Sequence, residues 1–182
     1  MPPRPQPLGL AALPVALPIA LSTVLLGAGA LAGCAGSAVP NEASLELGTG
    51  TARFVPLADG DEVAMVRGVQ GGWHLWVSVR ADGLETNLAS LEIAHQPADE
   101  SEPEQVTRSG VTFDPPDAQG RLVTLGWQAI LANPSCSVGR LHRIRVTVTT
   151  ASGKRLTAER EVIPTGGLNP PPPCGTALPE PG

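Results

Sequence analysis

The chain contains no tyrosine, only two phenylalanines and three tryptophans, and three histidines. Without tyrosine there is no corner phenol to hydrogen-bond back onto a main-chain turn, a device of many two-sheet domains. Lys154 is the sole lysine beside eleven arginines, and the formal net charge is -5. That acidic balance excludes nucleic-acid binding, which needs a positive surface to displace counterions from phosphates. It equally disfavours electrostatic docking onto anionic lipid. Arginine in place of lysine, with abundant Ala, Gly and Pro, reflects GC-rich coding and carries no mechanism.

Catalytic signatures are missing too. There is no G-x-S-x-G elbow, no H-E-x-x-H pair and no phosphate-cradling glycine loop. Neither Cys136 nor Cys174 has a C-x-x-C partner or a histidine at ligand spacing, which argues against zinc. A copper site of one Cys, two His and a Met finds no support around Met65, which has no cysteine or histidine near it in sequence. His74, His95 and His142 fall on separate segments with no common spacing. Acid pairs in Asp99–Glu104, or Asp114 with Asp117, have the oxygens for calcium but no defined loop motif, and a solvated charge run is the simpler reading. The expectation is a protein without catalytic residues, metal or cofactor. A hydrolase whose triad assembles from distant residues is the least favoured class.

What is present begins with the N-terminus. Arg4 is followed by an uncharged stretch from Leu8 to Gly33, the cationic start and apolar middle of an export signal. Such a run is long enough to suggest a membrane-spanning helix. Pro14 and Pro18 each remove a backbone donor and crowd the preceding turn, confining a continuous helix to the part after Pro18. A cleaved signal suits that length better. Leu31, Ala32, Gly33 and Cys34 resemble the lipobox of bacterial lipoproteins. The resemblance implies that the Cys34 thiol receives a diacylglycerol and that residues 1–33 are then removed. It also implies outer-membrane sorting, since Ala35 stands where an aspartate often retains lipoproteins at the inner membrane. The anchor is then covalent, because a second acyl chain turns marginal membrane binding into stable binding.

Three cysteines are an odd number for an exported chain. Lipidation of Cys34 leaves Cys136 and Cys174, both in loop-like segments, free to close a disulfide in an oxidising compartment. A loop of that size is stabilised by about 4 kcal/mol in the chain-entropy model.

Residues 34–48 read as a flexible tether. Beyond them hydrophobic alternation sets in. Asp59-Gly60 between two apolar runs reads as a hairpin turn. In "GWHLWVSVR" (72–80), Trp73, Leu75, Val77 and Val79 share one face, and His74, Trp76, Ser78 and Arg80 the other. Further strands are read at 88–95, at 105–113, at 121–131 with Val123, Leu125, Trp127, Ala129 and Leu131 on one face, and at 141–150 and 154–163 around Ser152-Gly153. Residues 97–104 are too rich in acids and proline for a sheet. Seven or eight short strands with no amphipathic helix predict an all-β, antiparallel β-sandwich of Ig-like type over 49–165. Residues 166–182 form a proline-rich tail that cannot enter a central strand.

Residues 57–84 resemble a segment of uncharacterised exported proteins and lipoproteins of GC-rich bacteria. Gly68, Gln70, Gly71, Gly72, His74 and Trp76 carry that resemblance as G-x-Q-G-G-x-H-x-W, and it implies no activity. The expected function is a non-enzymatic, membrane-anchored lipoprotein of the cell envelope with a structural or protein-interaction role. The alternative is a glycan- or peptide-binding module using Trp76 and His74, where bare glycine backbone lets a ligand approach. The simpler reading of Trp76 is packing under a neighbouring loop.

Overall fold

The computed structural model describes residues 42–176. The signal segment, Cys34 and the first part of the tether lie outside them. Ten strands and one helical turn follow in order: β1 (Ser44–Thr49), β2 (Val55–Pro56), β3 (Asp61–Ala64), β4 (Val66–Arg67), β5 (Trp73–Asp82), β6 (Leu88–Pro97), β7 (Gln105–Thr112), β8 (Leu122–Leu131), α1 (Pro134–Ser137), β9 (His142–Thr150) and β10 (Arg155–Thr165). They form two five-stranded sheets. In the first, β8 runs along one side of β5, while β1 and β4 share the other side and β2 lies outside β1. The second has the order β3-β10-β9-β6-β7.

Alternation in β5 and β9 drives the packing. Leu75, Val77 and Val79 from one sheet meet Ile93, Ile144, Val146, Val148 and Val162 from the other, all almost fully buried. Each such side chain contributes about 1.5–3 kcal/mol by leaving water, so this apolar seam holds the two sheets together.

Several expectations change. The strand count exceeds seven or eight because the chain crosses between sheets around Met65, whose N–H bonds Thr165 O (2.8 Å) while Val66 and Arg67 pair with β5. The β3–β10 pair is parallel, so one ladder departs from the antiparallel pattern. Asp59-Gly60 does turn the chain, with Gly60 at φ 86°, but β2 pairs with β1 and β3 with β10, so the turn joins two sheets instead of closing a hairpin. Residues 44–48, read as tether, belong to β1, whose Leu45, Glu46 and Leu47 pair with Ala81, Arg80 and Val79. Leu47 is fully buried and Leu45 packs partly buried against the core, and two leucines at the end of a small, polar stretch are a weak periodic signal.

The face reading of 121–131 holds only in part. Val77 faces Trp127 but Val79 faces Thr124, so one extra residue sits in β8 around Gly126, whose φ is 72°. Such a bulge inverts the alternation on one side of it. Trp127, Ala129 and Leu131 stay inward, whereas Val123 lies opposite the outward Arg80 and Thr124 takes the inward place.

The disulfide joins Cys136 to Cys174. It fastens the described part of the proline-rich tail, which also crosses the end of β5, where Trp73 Nε1 donates to Asn169 O (3.0 Å) and Pro171 is buried.

Candidate functional site

The glycine-rich stretch is a hairpin loop between β4 and β5. Gly71 N–H donates to Gly68 O (3.0 Å) and Gly68 N–H to Gly72 O (2.7 Å), with Gly71 at φ 94°. That is a type I turn closed by a left-handed glycine, the three-residue hairpin loop. The same pattern recurs at residues 151–153, where Gly153 has φ 87° and donates to Thr150 O (3.0 Å). The backbone therefore demands glycine at position 71. It makes no such demand at Gly68 or Gly72, neither of which is left-handed, and a methyl at Gly72 would meet no atom within 4 Å.

Outward residues of β5 behave differently along its length. At its C-terminal half the 50–54 segment covers them: Ser78 Oγ donates to Gly50 O (2.6 Å), and the Arg80 guanidinium lies 4.4 Å from the centre of the Phe54 ring. At its N-terminal half His74 and Trp76 stand opposite Ile130 and Gln128 of β8. Here a groove of about 470 Å³ opens between the hairpin and β8, lined by Gly68, Val69, Gly72, His74, Gln128 and Ile130. No charged side chain lines it.

His74 forms part of this groove and is only 4% exposed. Burial pushes its pKa down, so the ring is neutral near pH 7. Its Nε2 has no hydrogen-bond partner in the protein. Trp76 does not line the groove; it packs edge-on against His74, ring centroids 4.4 Å apart at 78°. Of the two candidate ligand contacts, His74 faces the groove and Trp76 supports it. Gln128 and Ile130 were not recognised from sequence, because only the β5–β8 register sets them beside the hairpin. An isoleucine left half-exposed on a strand is the one local signal.

The other two histidines are brought together by β6–β9 pairing. His95 lies opposite Ile144, and His142 opposite Pro97, placing both rings on the inner face as diagonal neighbours. His95 Nε2 is 2.9 Å from Ile130 O. His95 is shifted down by burial, partly offset by that hydrogen bond and by Glu104, while His142 is pushed down to about 4 by burial, with His95 and Arg140 adding to it.

The acidic run is not simply solvated. Asp99 and Glu102 pair with Arg140, Glu100 with Arg143, and Glu104 with Arg145. The Arg140 guanidinium holds the Asp99 carboxyl down to about 2, helped by Ser101. Asp117 is likewise held down by Arg121. Asp99, Glu100, Glu102, Glu104 and Asp117 thus each face a guanidinium group. Among the described residues no group of three or more His, Cys, Asp or Glu is placed to hold a metal ion. No known family, curated protein or solved structure matches the chain.

Proposed function

We propose that this chain is a bacterial lipoprotein, held to the outer membrane through acylated Cys34, whose β-sandwich is a non-enzymatic structural or interaction module of the cell envelope. Its strand order supports an Ig-like arrangement. A first strand pairs with β5, β3 runs parallel to the last strand β10, hairpins join β6 to β7 and β9 to β10, and β8 returns to the first sheet. The late Cys136–Cys174 bridge and the missing corner tyrosine set it apart from antibody domains.

One observation carries the functional reading: the polarity of β5. The chain enters the sheet at Ser44, opposite Asp82 at the C-terminal end of β5, whereas the groove and hairpin lie at Trp73, the other end. Ten residues of strand separate them, about 30 Å at the usual rise per residue. A lipid anchor at Cys34 would join the domain through Ser44, at the end of β5 away from the groove, which leaves Val69, Ile130 and His74 apart from the attachment point in the strand and available as the interaction surface. A photo-crosslinking side chain at Val69 in living cells should give specific adducts, while the same probe at Ser152, near the entry end, should not. Equal labelling from both positions would refute the reading. Cys34→Ala should leave a soluble or uncleaved precursor; an unmodified Cys34 in membrane-bound protein would contradict the anchor.

A second reading is favoured by the groove's chemistry. It is uncharged, mixes the His74 imidazole and the Gln128 carboxamide with the aliphatic Ile130 and Val69, and so suits a neutral glycan or peptide segment. Titrating tryptophan fluorescence with cell-wall sugars and peptides tests it, with His74→Ala expected to abolish any change.

A further inference from the structure

The end of the sandwich that bears the groove also contains two histidines that the proposed interaction does not use. His95 and His142 are 3% and 2% exposed. His95 Nδ1 and both ring nitrogens of His142 have no partner in the protein. Together with Pro97, Glu102, Asn133 and Ser137 the two rings line a small internal cavity. Its lid is made of two connecting loops, 97–104 and 132–141, held to one another by Ala98 N–H to Leu141 O (2.9 Å) and by Arg140 bridging Asp99 and Glu102.

Every charged group around the pair is already committed. Asp99 and Glu102 bind Arg140, and Glu104, which faces His95, binds Arg145. Arg140 itself lies close enough to His142 to oppose a second cation there. His74 belongs to the outer face of the other sheet. A proton on His142 thus lands beside His95 and Arg140, and the carboxylate that favours it, Asp99, is already bound to that guanidinium; a proton on His95 is favoured by Glu104, already bound to Arg145. The charge has two outlets: it reaches solvent, or it captures Glu102 or Asp99 from Arg140. Either one unfastens the lid.

We propose that His95 and His142 form an acid-operated latch: uncharged, the pair keeps the groove end of the sandwich closed, and once protonated it releases the 97–104 and 132–141 loops. The Cys136–Cys174 bond lies within the second loop and keeps it attached to the tail, so release is local. The groove feels the change through Ile130, whose carbonyl holds His95 Nε2 and whose side chain lines the groove.

Hydrogen exchange on the intact, disulfide-bonded protein tests this. After correction for intrinsic rates, amides of the two loops should exchange at least tenfold faster at a pH near 4 than at a pH near 7.5, while those of β5 and central β9 keep their protection. His142→Leu, which cannot take a proton, should keep the loops protected in acid, and His95→Gln, which can still donate to Ile130 O, should shift the opening to lower pH. Uniform loss of protection across the domain, or a His142→Leu variant that opens at the same pH as the parent, would overturn the latch. Should both variants fail to fold, imidazole NMR titration of the parent protein decides it. His95 and His142 titrating near 6.5 with the loop signals unmoved would also overturn it.

Discussion

Gly71 and Gly72 are adjacent, identical in sequence and, on the structure, unlike in purpose. Replacing each by alanine separates a residue the fold requires from one the groove requires. At Gly71 the φ of 94° is a conformation L side chains resist, and alanine there should destabilise the domain by about 1–2 kcal/mol. At Gly72 the backbone is not left-handed and the added methyl meets nothing within 4 Å. Alanine there should be neutral or stabilise by about 0.4–1 kcal/mol, because it restricts the unfolded chain. The same methyl would project beside a groove that Gly72 lines and should weaken whatever binds there. Urea unfolding followed by tryptophan emission is the assay, since Trp73 directly follows the loop and is buried. If Gly72→Ala lowers the unfolding midpoint as much as Gly71→Ala, the division of labour between the two glycines is wrong.

Further outcomes follow from the rest of the site. Cys136→Ala with Cys174→Ala should cost up to about 4 kcal/mol for the 38-residue separation and make the tail after Thr165 susceptible to proteolysis; an unchanged cleavage pattern would contradict its docking. Trp73→Phe removes the hydrogen bond to Asn169 O and should lower stability by about 1 kcal/mol, read from the urea midpoint. Stability should also fall as pH drops from 6.5 toward 4. In that window the unfolded chain binds a proton at His142 that the folded chain refuses, so the unfolded state gains; the ceiling is about 3 kcal/mol, set by the distance between 6.5 and the folded value of about 4. Below that window the His142 contribution no longer changes, and protonation of Asp99, held down to about 2, adds its own loss at more acid pH. A urea midpoint flat between pH 7 and 4 would refute the assignment.

Period-two alternation in β5 was legible because its Trp73, Leu75, Val77 and Val79 face is buried against the other sheet, and a buried face leaves a strict mark on the residues that form it. The loop at 97–104 was legible from its prolines and acids, and the cysteine pair from arithmetic. The same local logic failed at β8, where the bulge around Gly126 inverts the faces and any residue pattern is shifted across it. It failed again at residues 44–48, where a small, polar stretch still provides Leu47 to the core. At Asp59-Gly60 the turn chemistry was correct, but a turn residue specifies a local change of direction and not which strand the outgoing chain then joins.

Local stereochemistry thus determined from sequence alone that the body is all-β, which faces of its best strands are apolar, and where the chain turns; those properties depend on residues within a few positions of one another. Which strands are neighbours was decided only in the folded chain, because register couples residues far apart along it. That pairing turned His95 and His142, without common spacing, into a buried pair, set Gln128 and Ile130 beside the glycine hairpin, and committed the acidic run to the arginines of β9 and the loop before it.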